Sequence, residues 1–267
     1  MNCTKLLFAF IAILSFSSCT ITERMIINDN GGGKFSYEVD ATKMMSMMGG
    51  ALKGGDDKKE GTSKRAKKVM DSTFAFKDLF ASKKDSIAKL SIEEQQRLKK
   101  MENFTMHMVV NEEKGEMRYS MDTDFKSVQD LQDMMSPLES MKAMSPKGLN
   151  SKKLGKASGS LDNNSATKYF YDGKSFKKIV STTTNKKAEA KKANAAEDAE
   201  EAKMKESMEM IYGQSDFKIV YQFPKAVKSV SIPNALYSDD RKTVTIEYPL
   251  KDYMEHPDKL NFEIEFQ

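Results

Sequence analysis

The stretch Lys34-Phe-Ser-Tyr-Glu-Val-Asp40 alternates apolar and polar side chains, and Glu116-Met-Arg-Tyr-Ser-Met-Asp122 repeats the pattern. A period of two is typical of a β-strand with one buried face. Each stretch follows a turn, at 28–33 and at 112–115, and a second run of alternating residues precedes each turn. The sequence therefore predicts two β-hairpins, and a methionine-rich segment that we expect to be helical follows each of them.

Other segments extend this pattern. A weaker third copy of the hairpin covers 168–180, with Asp172-Gly173 as its turn. The last sixty residues contain three alternating runs, which predict an antiparallel meander over 217–223, 243–248 and 260–266. The pattern also predicts helical structure from about Ser72 to Met101. Apolar residues near period 3.6 predict a helix from Ser127 to Met144.

We therefore expect an α+β fold. An antiparallel meander sheet would be built from repeated β-hairpin–helix units, with the helices packed on one face. The Ala, Lys and Glu of 186–212 predict a long solvent-exposed helix. Two segments rich in Gly, Lys and Ser, about 49–70 and 145–166, are predicted to be flexible parts of a single domain over 19–267.

The N-terminus has the layout of a secretory signal peptide over 1–18. A basic start ending at Lys5 precedes an apolar run from Leu6 to Phe16. That run is too short to span a hydrocarbon core of about 30 Å as a helix, and later apolar stretches are interrupted by charged residues. We expect the mature chain to have no transmembrane helix.

Phe16-Ser17-Ser18-Cys19 resembles the lipobox of bacterial lipoproteins. The resemblance implies cleavage before Cys19, attachment of diacylglycerol to its thiol, and acylation of the new amine, with palmitate as the expected chain. Thr20 stands where an aspartate would favour retention at the inner membrane. We therefore expect a chain that is lipid-anchored in the bacterial cell envelope, at the outer membrane and facing the periplasm. The alternative is an ordinary signal peptide with a chance cysteine.

Composition excludes some classes of protein. The formal net charge is +4, and removal of residues 1–18, which hold one lysine, leaves +3. Lys and Glu are mixed along the same segments, whereas a nucleic-acid-binding protein usually carries a strong basic patch. We expect no nucleic-acid partner, and with Cys19 as its remaining cysteine the mature chain forms no internal disulfide.

Methionine is unusually frequent, with 20 residues and no tryptophan. Thioether clusters can bind Cu(I), but they more often fill apolar gaps or line adaptable apolar surfaces. We expect the clusters after the first two hairpins to be the candidate ligand-binding residues, namely Met44, Met45, Met47, Met48, Met134 and Met135.

No motif indicates catalysis. His107 and His256 lie far apart, and neither has a partner at metal-ligand spacing. The Gly31-Gly32-Gly33 run lacks the Lys-Ser/Thr of a phosphate-binding loop. We expect a protein that is not an enzyme and that has no metal and no cofactor.

Tyr221-Gln-Phe-Pro-Lys-Ala-Val-Lys228, Lys242-Thr-Val-Thr-Ile-Glu-Tyr248 and the first hairpin together resemble the LppM-like lipoproteins of bacterial envelopes. The resemblance implies an N-terminal anchor, an α+β domain, and lipid or glycolipid as the class of ligand. It transfers no site residues beyond the anchor.

The sequence leads to three hypotheses about the function of the chain. The first hypothesis is a non-catalytic envelope lipoprotein that binds an amphipathic ligand or an envelope partner through an apolar face. A second is a structural or interaction protein that uses the helix over 186–212, and a third, less favoured, is a hydrolase.

Overall fold

The computed structural model describes residues 20–42, 69–89, 92–132, 165–182, 206, 209–210 and 213–267. Cys19, the segment 43–68 and most of the segment 183–212 lie outside the described residues. The prediction of a long helix over 186–212 is therefore untested. The last two residues of each predicted flexible segment, 69–70 and 165–166, belong to strands.

Twelve strands in two sheets dominate the described chain. The large sheet has the order β10-β11-β8-β1-β2-β5-β4-β3. Its strands are β1 (Thr20–Ile27), β2 (Gly33–Asp40), β3 (Val69–Ala75), β4 (Thr105–Asn111), β5 (Glu116–Phe125), β8 (Asp216–Gln222), β10 (Leu236–Tyr237) and β11 (Thr243–Pro249). The small sheet has the order β6-β7-β12-β9. Its strands are β6 (Ser165–Tyr171), β7 (Ser175–Thr182), β9 (Val227–Val230) and β12 (Phe262–Phe266).

Strand β1 lies inside the large sheet, between β2 and β8. It pairs antiparallel with β2 through the predicted hairpin, and parallel with β8, where Thr20 lies opposite Asp216. The other strand pairs of the described chain are antiparallel. The two predicted hairpins, β1–β2 and β4–β5, share this sheet through the pairing of β2 with β5.

The prediction of an α+β fold with helices packed on one face is wrong. The described helices are short: α1 (Phe76–Ser82), α2 (Lys84–Ile87), α3 (Ile92–Lys100) and α4 (Leu250–Glu255), with 3₁₀ turns at Val128–Leu131 and Pro257–Leu260. The small sheet takes the place expected for the helices. Phe176 of this sheet packs on Tyr221 of β8 and on Phe223, which directly follows β8, with ring centroids 5.3 and 5.4 Å apart. Aromatic rings from both sheets thus form the core, as in a sandwich.

Two predictions about individual helices need correction. The region predicted to be helical from Ser72 begins as strand β3, and α1 starts only at Phe76. The helix expected from Ser127 is one 3₁₀ turn, because the backbone is extended again at Gln132, and 133–144 lie outside the described residues.

The closing strands do not form one meander. Strands β8 and β11 are antiparallel neighbours, but β12 pairs with β7 and β9 in the small sheet. The chain crosses between the sheets through α4 and the turn Pro257–Leu260, whose Leu250, Tyr253 and Leu260 are buried. Within the described chain, no helix has the length and apolarity needed to cross a membrane.

Gly33 is required where the first hairpin closes. A Cβ at this position would lie 1.8 Å from the Ile26 carbonyl oxygen, which belongs to the backbone and cannot rotate away. We expect Gly33→Ala to lower the free energy of unfolding by about 1–3 kcal/mol through backbone strain. Gly213→Ala is the control, since its added methyl group would meet nothing within 4 Å. Urea unfolding of both variants checks this, and equal stability of the two would contradict it.

Candidate functional site

A carboxylate lies in the middle of the core. Glu23 shares the inward-facing side of β1 with Ile21, Met25 and Ile27, and it is 1% exposed. Burial of an unpaired carboxylate is very costly, so its surroundings must compensate the charge.

Five hydrogen bonds reach this carboxylate. Lys178 Nζ lies 2.8 Å from each of the two oxygens. The hydroxyl of Tyr37 donates to Oε2 at 3.0 Å, and that of Tyr169 donates to Oε1 at 3.0 Å. The hydroxyl of Tyr221 also donates to Oε1. We call these five residues the Glu23 cluster.

The Glu23 cluster joins the two sheets. Glu23, Tyr37 and Tyr221 lie on β1, β2 and β8 of the large sheet, whereas Tyr169 and Lys178 lie on β6 and β7 of the small sheet. The hydrogen bonds from Tyr169 and Lys178 therefore cross the interface between the sheets. This polar bridge joins defined positions of the two sheets, since hydrogen bonds are directional and apolar contacts are not.

Lys178 is as deeply buried as its partner. It lies between Phe176 and Val180 on the inward face of β7 and is 2% exposed. Its Nζ lies 5.6 to 6.0 Å from three ring centroids, those of Phe217, Tyr169 and Tyr221. Burial lowers the pKa of Lys178, and the charge and hydrogen bonds of Glu23 act in the opposite direction.

The three phenols have strongly shifted pKa values. Burial is the main cause that raises the pKa of Tyr37, Tyr169 and Tyr221 well above 10, and the negative charge of Glu23 raises it further. All three therefore remain protonated donors at neutral and moderately alkaline pH.

Sequence reasoning missed this cluster, although the sequence contains a signal for it. Glu23 interrupts the apolar series Ile21, Met25 and Ile27, and Lys178 falls between Phe176 and Val180 in the same way. Two opposite charges at inward-facing positions of predicted strands indicate a buried ion pair.

Tyr248 lies near the cluster without joining it. Its hydroxyl is buried and finds no hydrogen-bond partner among the described residues. Burial, followed by the charge of Glu23, raises the pKa of Tyr248 to about 12.

Tyr248→Phe should leave stability at neutral pH almost unchanged, because the Tyr248 hydroxyl has no partner among the described residues. Tyr169→Phe should cost about 1.5–3 kcal/mol, because the Tyr169 hydroxyl donates to a charged group. Urea unfolding of the two variants tests this, and an equal loss in both would argue against it.

A surface cleft of about 380 Å³ lies beside the end of β5. Its floor is formed by the buried Phe104, Phe125 and Leu131. Its rim is polar and exposed, and it consists of Lys100, Asn103, Asp124, Lys126 and Asp130. The Asp130 carboxylate accepts hydrogen bonds from the backbone N–H groups of Lys126 and Ser127, which fixes one side of the rim.

The structure does not test the predicted site residues. Cys19 and the six candidate methionines, Met44, Met45, Met47, Met48, Met134 and Met135, fall outside the described residues. Four other methionines, Met25, Met101, Met106 and Met121, are at most 2% exposed and fill the core.

The two histidines do not form a metal-binding centre. His107 Nε2 lies 2.8 Å from Asp71 Oδ1 on the outer face of the large sheet, and both side chains are exposed. His256 is exposed at the end of α4. In the described ranges, no three His, Cys, Asp or Glu side chains come together in a way that could hold a metal ion.

Comparison with known proteins gives limited information. No protein-family model matches the chain, and no curated protein matches it significantly. Among solved structures, the folded domain of LppM from Mycobacterium tuberculosis is similar at 8% identity and a TM-score of 0.32, over 95% of this chain and 93% of that one. At this identity and TM-score, the similarity carries no inference about the fold or the function of this chain.

Proposed function

We propose that this chain is a lipid-anchored, non-catalytic protein of the bacterial cell envelope, held in the membrane through Cys19. One observation carries the proposal: β1 begins at Thr20, the residue directly after the lipobox-like cysteine. Because β1 is an interior strand of the large sheet, an anchor at Cys19 would be bonded directly to the centre of the fold. We propose the outer membrane and its periplasmic face, since Thr20 stands where aspartate would favour the inner membrane.

The absence of catalysis is part of the proposal. The Glu23 cluster has the perturbed pKa values that often mark active sites. However, Glu23 and Lys178 are enclosed, and both carboxylate oxygens already accept hydrogen bonds inside the protein. A substrate would have to separate the two sheets to reach them. A structural role accounts for this geometry.

The cleft beside β5 supports binding of an amphipathic molecule. An apolar floor offers an acyl-chain contact, and the two lysines of the rim, which also carries Asp124 and Asp130, offer a contact for an anionic group. We propose that a single-chain amphiphile with a negatively charged headgroup binds there, with Lys100 and Lys126 nearest its charge.

Replacing Cys19 with serine tests the anchor. We expect Cys19→Ser to move the chain from the membrane fraction to the soluble fraction, because two or three acyl chains, at about 0.8 kcal/mol per buried methylene, are lost. Fractionation followed by mass spectrometry of the N-terminal peptide measures this. Wild-type chain without a lipid-modified N-terminal peptide would refute the anchor.

Native mass spectrometry of the Cys19→Ser protein with lysophosphatidylglycerol tests the cleft. We expect Lys100→Glu/Lys126→Glu to weaken binding about tenfold, equivalent to roughly 1.4 kcal/mol. The control is Lys114→Glu/Lys251→Glu, which changes net charge equally at exposed positions outside the cleft. No binding, or an equal loss in both variants, would refute the cleft as the site.

A further inference from the structure

The register of the large sheet fixes which residues lie at the anchored end. Thr20 lies opposite Asp40 of β2 and Asp216 of β8, and Asp40 lies opposite Arg118 of β5. The end of β2 and the starts of β5 and β8 therefore lie beside the residue that follows Cys19. The turn between β4 and β5 closes at this same end, since Asn111 lies opposite Glu116.

The cleft lies at the opposite end of the same strands. Ile27, the last residue of β1, lies opposite Gly33, and Gly33 lies opposite Phe125 in the cleft floor. Ile27 lies seven positions after Thr20, which corresponds to about 23 Å along an extended strand.

No linker separates the anchor from the sheet. Consecutive Cα atoms are about 3.8 Å apart, so Cys19 lies within that distance of the first residue of β1. Lipid attached to this cysteine would hold the near end of β1 against the headgroups. The polar interface adds only about 5–8 Å to each side of the hydrocarbon core, so a β1 strand that stands along the membrane normal carries its far end beyond this interface.

We infer that the domain stands on the bilayer with the start of β1 and the β4–β5 turn against the headgroups, and with the cleft opening away from the membrane that holds it. The inference rests on the proposed anchor at Cys19. It specifies that the cleft receives an amphiphile presented from the aqueous compartment, not one that remains in the anchoring leaflet.

Two single-cysteine variants test this orientation. The chain holds two cysteines, Cys3 in the signal segment and Cys19, so an added cysteine would be the one free thiol of the lipidated mature protein. Glu113→Cys places the thiol in the β4–β5 turn, and Asp29→Cys places it in the turn between β1 and β2. Both replace an exposed acidic residue and change the charge equally, so they form a matched pair.

Each lipidated variant is labelled with a small fluorophore and reconstituted into phosphatidylglycerol and phosphatidylcholine vesicles that carry a nitroxide on the lipid headgroup. Contact quenching should be several-fold stronger for the label at Glu113→Cys than for the label at Asp29→Cys. Equal quenching at both positions, or stronger quenching at Asp29→Cys, would overturn the orientation while leaving the anchor intact. Failure of both variants to remain with the vesicles would instead refute the anchor, and the orientation with it.

Discussion

Replacing Lys178 with methionine should lower the free energy of unfolding by about 3–5 kcal/mol, the loss typical when one partner of a buried ion pair is removed. Methionine keeps most of the apolar volume of the lysine stem, so the expected loss reflects charge more than packing. The variant leaves the Glu23 carboxylate at 1% exposure with three phenol donors and no cation. Urea unfolding at pH 7 measures the change.

A second substitution separates charge from hydrogen bonding. Glu23→Gln added to Lys178→Met removes the uncompensated charge but keeps a carbonyl oxygen as an acceptor for the phenols. We expect the double variant to be more stable than Lys178→Met alone. The double variant Glu23→Leu/Lys178→Met should not regain stability in this way. Its three buried phenol hydroxyls have no acceptor, and each unsatisfied hydroxyl costs about 1–3 kcal/mol.

The neighbouring residue on β1 provides the control. Arg24 forms a 2.8 Å ion pair with Glu38 on the outer face of the large sheet, where both side chains are 45% exposed. Arg24→Met should therefore change stability by about 1 kcal/mol or less. A loss for Lys178→Met no larger than that for Arg24→Met would show that the Glu23 cluster does not stabilise the fold.

The hairpins could be predicted from sequence because their information is local. Alternation and turn residues within about twenty positions specify β1–β2, β4–β5 and β6–β7. The same alternation assigns Glu23 and Lys178 to inward faces, so the burial of these two charges could in principle be predicted from the sequence.

The arrangement of the strands could not be predicted in the same way. The parallel pairing of β1 with β8 joins Thr20 to Asp216, and no local pattern encodes a contact of such separation. The placement of β12 in the small sheet likewise depends on which elements pack against each sheet. The sequence predicts helices as this cover, whereas the small sheet with Phe176 provides it.

The fold should also lose stability steeply above pH 10. Tyr37, Tyr169 and Tyr221 have pKa values raised well above 10 by burial and by the charge of Glu23. In the unfolded chain these phenols lose their protons as the pH rises through about 10, whereas in the folded chain they keep them. The unfolded state then binds fewer protons, so the contribution of the phenols is complete below pH 10 and is lost above it.

The expected slope follows from the number of phenols. Each contributes about 1.4 kcal/mol per pH unit in this range, so three contribute about 4 kcal/mol per pH unit. Tyr248, whose pKa is raised to about 12, adds to the slope below that pH. Lys178 acts in the opposite direction just below pH 10.4, because burial lowers its pKa and the unfolded chain there binds the additional proton.

Urea unfolding from pH 8 to pH 11.5 should therefore give a nearly level stability up to about pH 10, followed by a steep fall. Tyr169→Phe removes one of the three phenols and should reduce the slope by about 1.4 kcal/mol per pH unit, although the variant begins from a lower stability at pH 8. The loss of the hydrogen bond lowers the stability at every pH, whereas the loss of the titrating phenol changes the slope of stability against pH. Comparing the slopes therefore separates the two effects. A wild-type stability that stays level to pH 11.5, or a Tyr169→Phe slope equal to that of the wild type, would mean that these phenols do not stay protonated around Glu23 in the folded protein.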